Sequence, residues 1–255
     1  MRLKLISCKI ITRELSYLIA QSDNKLDVTF LRKGFHDEPD KLRQAVQAEI
    51  DLVESGGDVH TNGDAESDED FAAILIGYGL CSNGVVGLTS TKYPLVIPRA
   101  HDCITFLLGA RGRYQQYFHA HPGTFWYSQC WLENSPVRDD DYLGRLRRKY
   151  QDKGFDDEDI EFLLEAETAW IKNYSNAAYI GMSEAAPRNG DTDCRAAVRH
   201  IAEVYGWGYD ELEGDISLLR DFVDGNWRGE DFLIVQPGQT VAPSYGEDVI
   251  KAVEQ

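Results

Sequence analysis

The sequence predicts an α/β protein built on a largely parallel, doubly wound sheet, organised in two lobes. Runs rich in β-formers alternate with runs of helical period from the first residues onward, the order expected of a parallel sheet. Residues 71–77 and 95–97 are continuously apolar, as strands buried on both faces are. A chain of 255 residues with 43% apolar content is long enough to close one large core or two smaller ones.

Residues 3–12 are β-rich and read as the first strand, followed by a helix from about Arg13 and a second strand at 26–31. Pro39 opens a helix in which Leu42, Val46, Ile50 and Val53 recur at helical spacing. Residues 54–70 are rich in Gly, Asp, Glu, Ser and Asn and read as an exposed, mobile acidic loop; they lack the spacing of a calcium loop. The buried strands at 71–77 and 95–97 follow. Asp102 then caps a helix expected to run to about His119, and Pro122-Gly123 ends it. This closes an N-terminal lobe of residues 1–122.

Residues 123–255 form the second lobe. An aromatic strand at 124–127 leads to charged helices near 141–151 and 157–174, the latter a helical bridge. A strand at 177–182, a helix at 193–204, a short strand near Tyr209, a helix at 217–224 and a strand at 231–235 repeat the alternation.

The formal net charge of −17 argues against nucleic acid as a partner, since neutralising phosphates needs a basic surface. Every apolar run is broken by charge, Gly or Pro well short of the roughly 20 residues of a membrane helix, so no membrane association is expected. The N-terminus lacks the features of a secretion signal, and five cysteines are an odd count for a disulfide framework. A cytoplasmic protein with thiol or metal chemistry is the expectation, its oligomeric state undetermined.

Ligands of doubly wound sheets bind beyond the carboxyl ends of the strands. Three cysteines fall at such ends: Cys8 late in the first strand, Cys81 after Gly77-Tyr78-Gly79-Leu80, and Cys103 after Pro98-Arg99-Ala100-His101-Asp102. With His101, these three thiols make a soft tetrahedral donor set, for which zinc is the preferred occupant and a four-iron four-sulfur cluster the alternative. His101 is thus a fourth ligand or an acid–base group, and Tyr78 is a second candidate catalytic group. Arg99 is a candidate anchor for an anionic substrate. The glycine-rich turn at 77–87 matches neither a dinucleotide fingerprint nor a P-loop, and within it Gly79 and Asn83 are candidate substrate contacts.

Two other readings compete. In one, Cys81 or Cys103 is a nucleophile with His101 as base and Asp102 or Asp37 orienting it. In the other, the same pocket is a non-catalytic binding module for a small molecule or a corrinoid. His119 and His121 are expected to serve a helix end, Cys130 and Cys194 to be inert, and Trp126, Tyr127 and Trp131 to wall a planar cofactor or to be core.

The peptides Ile6-Ser7-Cys8-Lys9, residues 77–84 and 98–103, together with 122–127 and 231–238, resemble a bacterial and archaeal domain-of-unknown-function family, the one numbered 1638. Relatives in that family are often encoded beside corrinoid proteins and methyltransferases. The resemblance therefore implies a role near corrinoid-linked methyl transfer or one-carbon metabolism, with a small molecule or a corrinoid protein as partner.

Overall fold

A computed structural model describes residues 1–57, 70–136, 138–186, 192–246 and 248–254. The chain divides into two compact units: Met1–Tyr114 with Asp215–Gln255, and Gln115–Gly214.

The first unit starts with β1 (Arg2–Cys8), α1 (Thr12–Ile19), β2 (Lys25–Leu31), α2 (Pro39–Glu54), β3 (Ala73–Gly77), β4 (Leu95–Pro98) and α3 (Cys103–Leu108). β1 is shorter than expected, because the chain turns into a 3-10 segment at Lys9–Ile11 directly after Cys8. The helix capped by Asp102 also stops early. Gly109 takes a left-handed φ of 73° and ends α3, and a Cβ there would lie 2.6 Å from the carboxyl carbon of Asp215. A separate helix, α4 (Arg111–Ala120), follows.

The second unit carries β5 (Thr124–Ser128), α5 (Gln129–Glu133), α6 (Tyr142–Gln151), α7 (Asp157–Thr168), β6 (Asn176–Gly181), α8 (Thr192–Tyr205) and β7 (Gly208–Glu213). Its strands form a parallel sheet in the order β5-β6-β7. The expected helix at 157–174 ends at Thr168, beyond which Ala169–Asn173 is 3-10. The chain then returns to the first unit as α9 (Ser217–Asp224), β8 (Phe232–Val235) and a hairpin of β9 (Gln239–Pro243) with β10 (Ile250–Glu254).

That return differs from the expected boundary after residue 122. The first sheet has the order β2-β1-β3-β4-β8, and β8 adds to β4 antiparallel as its edge strand. Residues 215–255 therefore belong to the unit expected to end at 122, because the apolar 232–235 run finds its ladder on β4 rather than in the second sheet.

The first four strands are parallel, and every residue of β3 and β4 is buried, as a sheet covered on both faces requires. Ile6, Ile74, Ile76, Leu95 and Ile97 share one face and pack with Leu42, Val46, Ile50 and Val53 of α2. Leu3, Leu5, Leu75 and Val96 alternate to the other face, and α1 and α9 pack on each other, burying Leu15, Leu18, Leu219 and Phe222.

Of the expected acidic loop, residues 58–69 lie outside the described residues. Both ends are anchored. Glu54 accepts from Ser90 Oγ at 2.6 Å, from Thr91 N–H at 2.7 Å and from Lys92 N–H at 2.9 Å. Asp70 pairs with Lys92 Nζ at 2.9 Å and accepts from the Tyr93 hydroxyl at 2.8 Å. Among the described residues, no helix is long and apolar enough to cross a membrane.

Candidate functional site

The parallel register aligns the carboxyl ends of β2, β1 and β3, with Cys8 opposite Leu31 and Ser7 opposite Gly77. Ser7 Oγ donates to Gly77 O at 3.2 Å, which seats Cys8 beside the start of the following turn. Beyond β3, the turn is tied to the segment after β4. Leu80 N–H donates to Ala100 O at 2.7 Å, and Cys81 N–H to His101 O at 2.9 Å. Gly79 is required at this crossing, since a Cβ on it would lie 2.8 Å from both Ala100 O and Asp102 N. Three cysteines widely separated in sequence are thereby gathered.

Cys8, Cys81 and Cys103 are free thiols, each partly buried. Burial pushes the Cys8 thiol up, while the Ile10 main chain, the Lys33 charge and the Tyr78 hydroxyl pull the other way. The Cys81 thiol is pushed up to about 12 by burial, then by the Asp102 carboxylate and Cys8. Cys103 is raised well above the ordinary thiol value, by burial and by Asp102, Cys8 and Cys81 in turn. The mutual influence of the three sulfurs marks them as neighbours. In the metal-free protein they stand as neutral thiols.

Two further observations set this place apart from ordinary core. Cys81, Ser82 and Asn83 take φ of 43°, 57° and 69°, three consecutive non-glycine residues in the left-handed region. For Cys81 and Ser82 this costs on the order of 1–2 kcal/mol each, whereas asparagine tolerates the region better. Tyr78 is 4% exposed, yet its hydroxyl lacks a hydrogen bond of good geometry, although Cys8 and Cys81 lie near enough to raise its pKa after burial has done so.

Asp102 caps α3, accepting from Ile104 N–H at 3.0 Å, and its second oxygen accepts from the Tyr114 hydroxyl at 3.2 Å. Burial raises its carboxyl above the usual range. His101 is exposed, and its carbonyl holds Cys81. Asn83 is exposed on the left-handed turn, whereas Gly79 is buried.

Arg99 is placed differently from a free anchor. Its Nε donates to Gly229 O at 2.8 Å, and its Nη1 donates to Asp248 O at 3.0 Å and Ile250 O at 2.5 Å. It clasps the segment before β8 and the strand β10. Among the described residues, no three His, Cys, Asp or Glu side chains stand already arranged to hold a metal ion. Three thiols are donors of the kind a soft ion takes.

Sequence reasoning missed Lys33 and Tyr114. Lys33 was within reach of it: it lies two residues beyond Leu31, which pairs in register with Cys8. Tyr114 carried no such signal, because the break at Gly109 decides where α4 places it. The aromatic wall also divides. Trp126 and Tyr127 are consecutive on β5 and face opposite ways: Trp126 meets Tyr117 at 4.9 Å between centroids, and Tyr127 meets Trp131 at 4.9 Å.

A family model described as a protein of unknown function, DUF1638, matches residues 30–223. The chain belongs to that family. The DUF1638 match includes Cys81, Cys103 and the turns that carry them, while Cys8 lies ahead of it. Neither the curated proteins nor the solved structures contain a match to this DUF1638 chain.

Proposed function

We propose that this DUF1638 protein binds a soft metal ion, zinc by preference, through Cys8, Cys81 and Cys103 as thiolates. The observation that supports it is the meeting of three free thiols that follow three separate strands, beside a turn in the left-handed region and the buried Tyr78 hydroxyl. Binding draws off three protons that burial otherwise retains, so affinity rises with pH. Lys33, whose charge already favours the Cys8 thiolate, offsets the negative charge of the trio. The fourth position falls to His101 on the adjoining turn or to a substrate.

The raised thiols disfavour the nucleophile reading, because a reactive cysteine needs a depressed pKa. The finer part of the proposal is corrinoid-linked methyl transfer, drawn from the family resemblance. A bound zinc ion would supply thiol activation there. There an acceptor thiol would give its proton to His101 and its sulfur would take the methyl group from a methylcorrinoid, the corrinoid leaving in its reduced form with the electron pair of the broken bond, while Tyr78 would hydrogen-bond the acceptor.

Elemental analysis of protein purified without chelators under anaerobic conditions tests the metal. About one zinc per chain, lost in a folded Cys8/Cys81/Cys103 triple-alanine variant, is the expected result. Iron with sulfide-to-iron absorption would assign the cluster instead. No metal after purification and no uptake of added zinc or cobalt overturns the reading. For the finer part, equal methyl exchange between a methylcorrinoid and thiol acceptors in native and Cys81→Ala protein would remove Cys81 from that role.

A further inference from the structure

Among the described residues of the second unit, Arg138 lies against aromatic rings with two of its donors unpaired. The guanidinium carbon of Arg138 lies 4.5 Å from the ring centroid of Trp170 and 5.2 Å from those of Phe125 and Trp131. Its Nε and Nη1 are buried without a hydrogen-bond partner. This happens in a chain with 43 acidic against 26 basic residues, where a carboxylate is the commonest neighbour an arginine meets. The acidic residues that follow it in sequence face other partners: Asp139 pairs with Arg145 at 2.8 Å, Asp140 lies 3.6 Å from the His200 ring and Asp141 pairs with Arg148 at 2.7 Å.

The aromatic rings do not replace an anion. Contact with a ring face contributes on the order of 0.5–2 kcal/mol, whereas each buried N–H donor left without an acceptor costs about 1–3 kcal/mol. Arginine has no means of neutralising itself by losing its proton. A second donor is orphaned in the same place. Tyr127 is 1% exposed, and its hydroxyl has no partner. Burial raises the phenol's pKa and the charge of Arg138 pulls it down, so the two groups share a neighbourhood. Tyr205 feels the same guanidinium.

Two unfilled donors, one of them permanently cationic, beside flat aromatic walls call for an acceptor that is anionic and small. We propose that the second unit binds the carboxylate or phosphate group of a small molecule, held by the Arg138 guanidinium and the Tyr127 hydroxyl against Trp131 and Trp170. None of these residues belongs to the thiol cluster, and the site does not depend on metal there.

The test uses full-length protein titrated with sodium benzoate and, separately, with inorganic phosphate at constant ionic strength, following tryptophan emission. Trp131 and Trp170 lie against the guanidinium, so occupancy changes their signal directly. A saturable change is expected with at least one probe; benzoate alone assigns a carboxylate and phosphate alone a phosphate. Affinity is expected to fall about tenfold or more in Arg138→Met and several-fold in Tyr127→Phe. Arg138→Lys keeps the charge and loses the guanidinium geometry, and it is expected to bind at least several-fold more weakly even where Arg138→Met fails to fold. No saturable response to either anion, or unchanged affinity in a folded Arg138 variant, overturns the proposal.

Discussion

Cys81 donates its main-chain N–H to the carbonyl of His101 at 2.9 Å, so the turn after β3 and the turn after β4 act as one body. Through that bond, the residue that carries one thiol is held at the turn that leads to another. Four predictions rest on this arrangement and on its surroundings.

The crossing tolerates no side chain at Gly79. Gly79→Ala sets a methyl group 2.8 Å from Ala100 O and Asp102 N. The two turns must part, and a loss of about 1–3 kcal/mol is expected in urea unfolding, the usual range for overpacking. Alkylation of Cys81 in the folded protein should quicken. A variant with native stability and native labelling would show that the turns move independently.

Replacing Asp102 by Asn keeps the cap on Ile104 and removes the charge. Because burial raises the folded carboxyl, the contribution of Asp102 to stability is fully present below its unfolded value of about 3.8 and is lost as pH rises through the higher folded value. Asp102→Asn is therefore expected to match native protein near pH 4 and to exceed it at pH 8. The Asp102 charge also raises Cys81 and Cys103, so their labelling near pH 9 should accelerate in the variant. Lower stability at pH 8 with unchanged labelling contradicts both statements.

The thiols themselves make stability fall in alkaline solution. Cys81 has an unfolded value of 9.0 and is pushed up to about 12 on folding, chiefly by burial. Between those values the folded state keeps a proton that the unfolded state has released, so the stabilisation present below pH 9 is lost as pH rises toward 12. Urea midpoints of metal-free native protein should drop over that window more steeply than those of Cys81→Ala. One thiol labelled rapidly and stoichiometrically at pH 7 would instead favour the nucleophile reading.

Glu54 acts in the opposite direction. Burial raises its carboxyl, but the bonds from Ser90, Lys92 and Thr91 outweigh that and lower it overall. Its stabilisation is present above the unfolded value of about 4.5 and is lost as pH falls through the lower folded value. Glu54→Ala is expected to cost about 1–3 kcal/mol at pH 7, the scale of hydrogen bonds to a charged group. The difference from native protein should shrink on acidification. A constant difference from pH 7 to pH 3 would assign the effect to packing.

The α/β class, the parallel order of the first strands and the strand-end positions of Cys8, Cys81 and Cys103 were legible in the sequence, because hydrophobic periodicity and turn chemistry are local. Arg99 illustrates the limit. Its neighbours Pro98 and Ala100 say nothing of Gly229, Asp248 and Ile250, whose carbonyls it holds from more than a hundred residues away. Tyr78 was legible as a polar residue at a strand end, but its burial beside Cys8 and Cys81 depends on what the fold packs around it.

Local patterning by itself determined that Leu42, Val46, Ile50 and Val53 form the buried stripe of α2, and that Ile74 and Ile76 lie on a strand within the core. It also determined the family motifs in which Cys81 and Cys103 sit. Only the tertiary structure decided that residues 232–235 complete the first sheet, that Lys33 and Tyr114 join the thiol cluster, and that Arg138 lies among rings with two of its donors unpaired. Periodicity reports which face of an element avoids water. Partners distant in sequence are chosen by which backbone ladders and buried charges the folded chain can satisfy at once, and no short stretch of sequence contains that information.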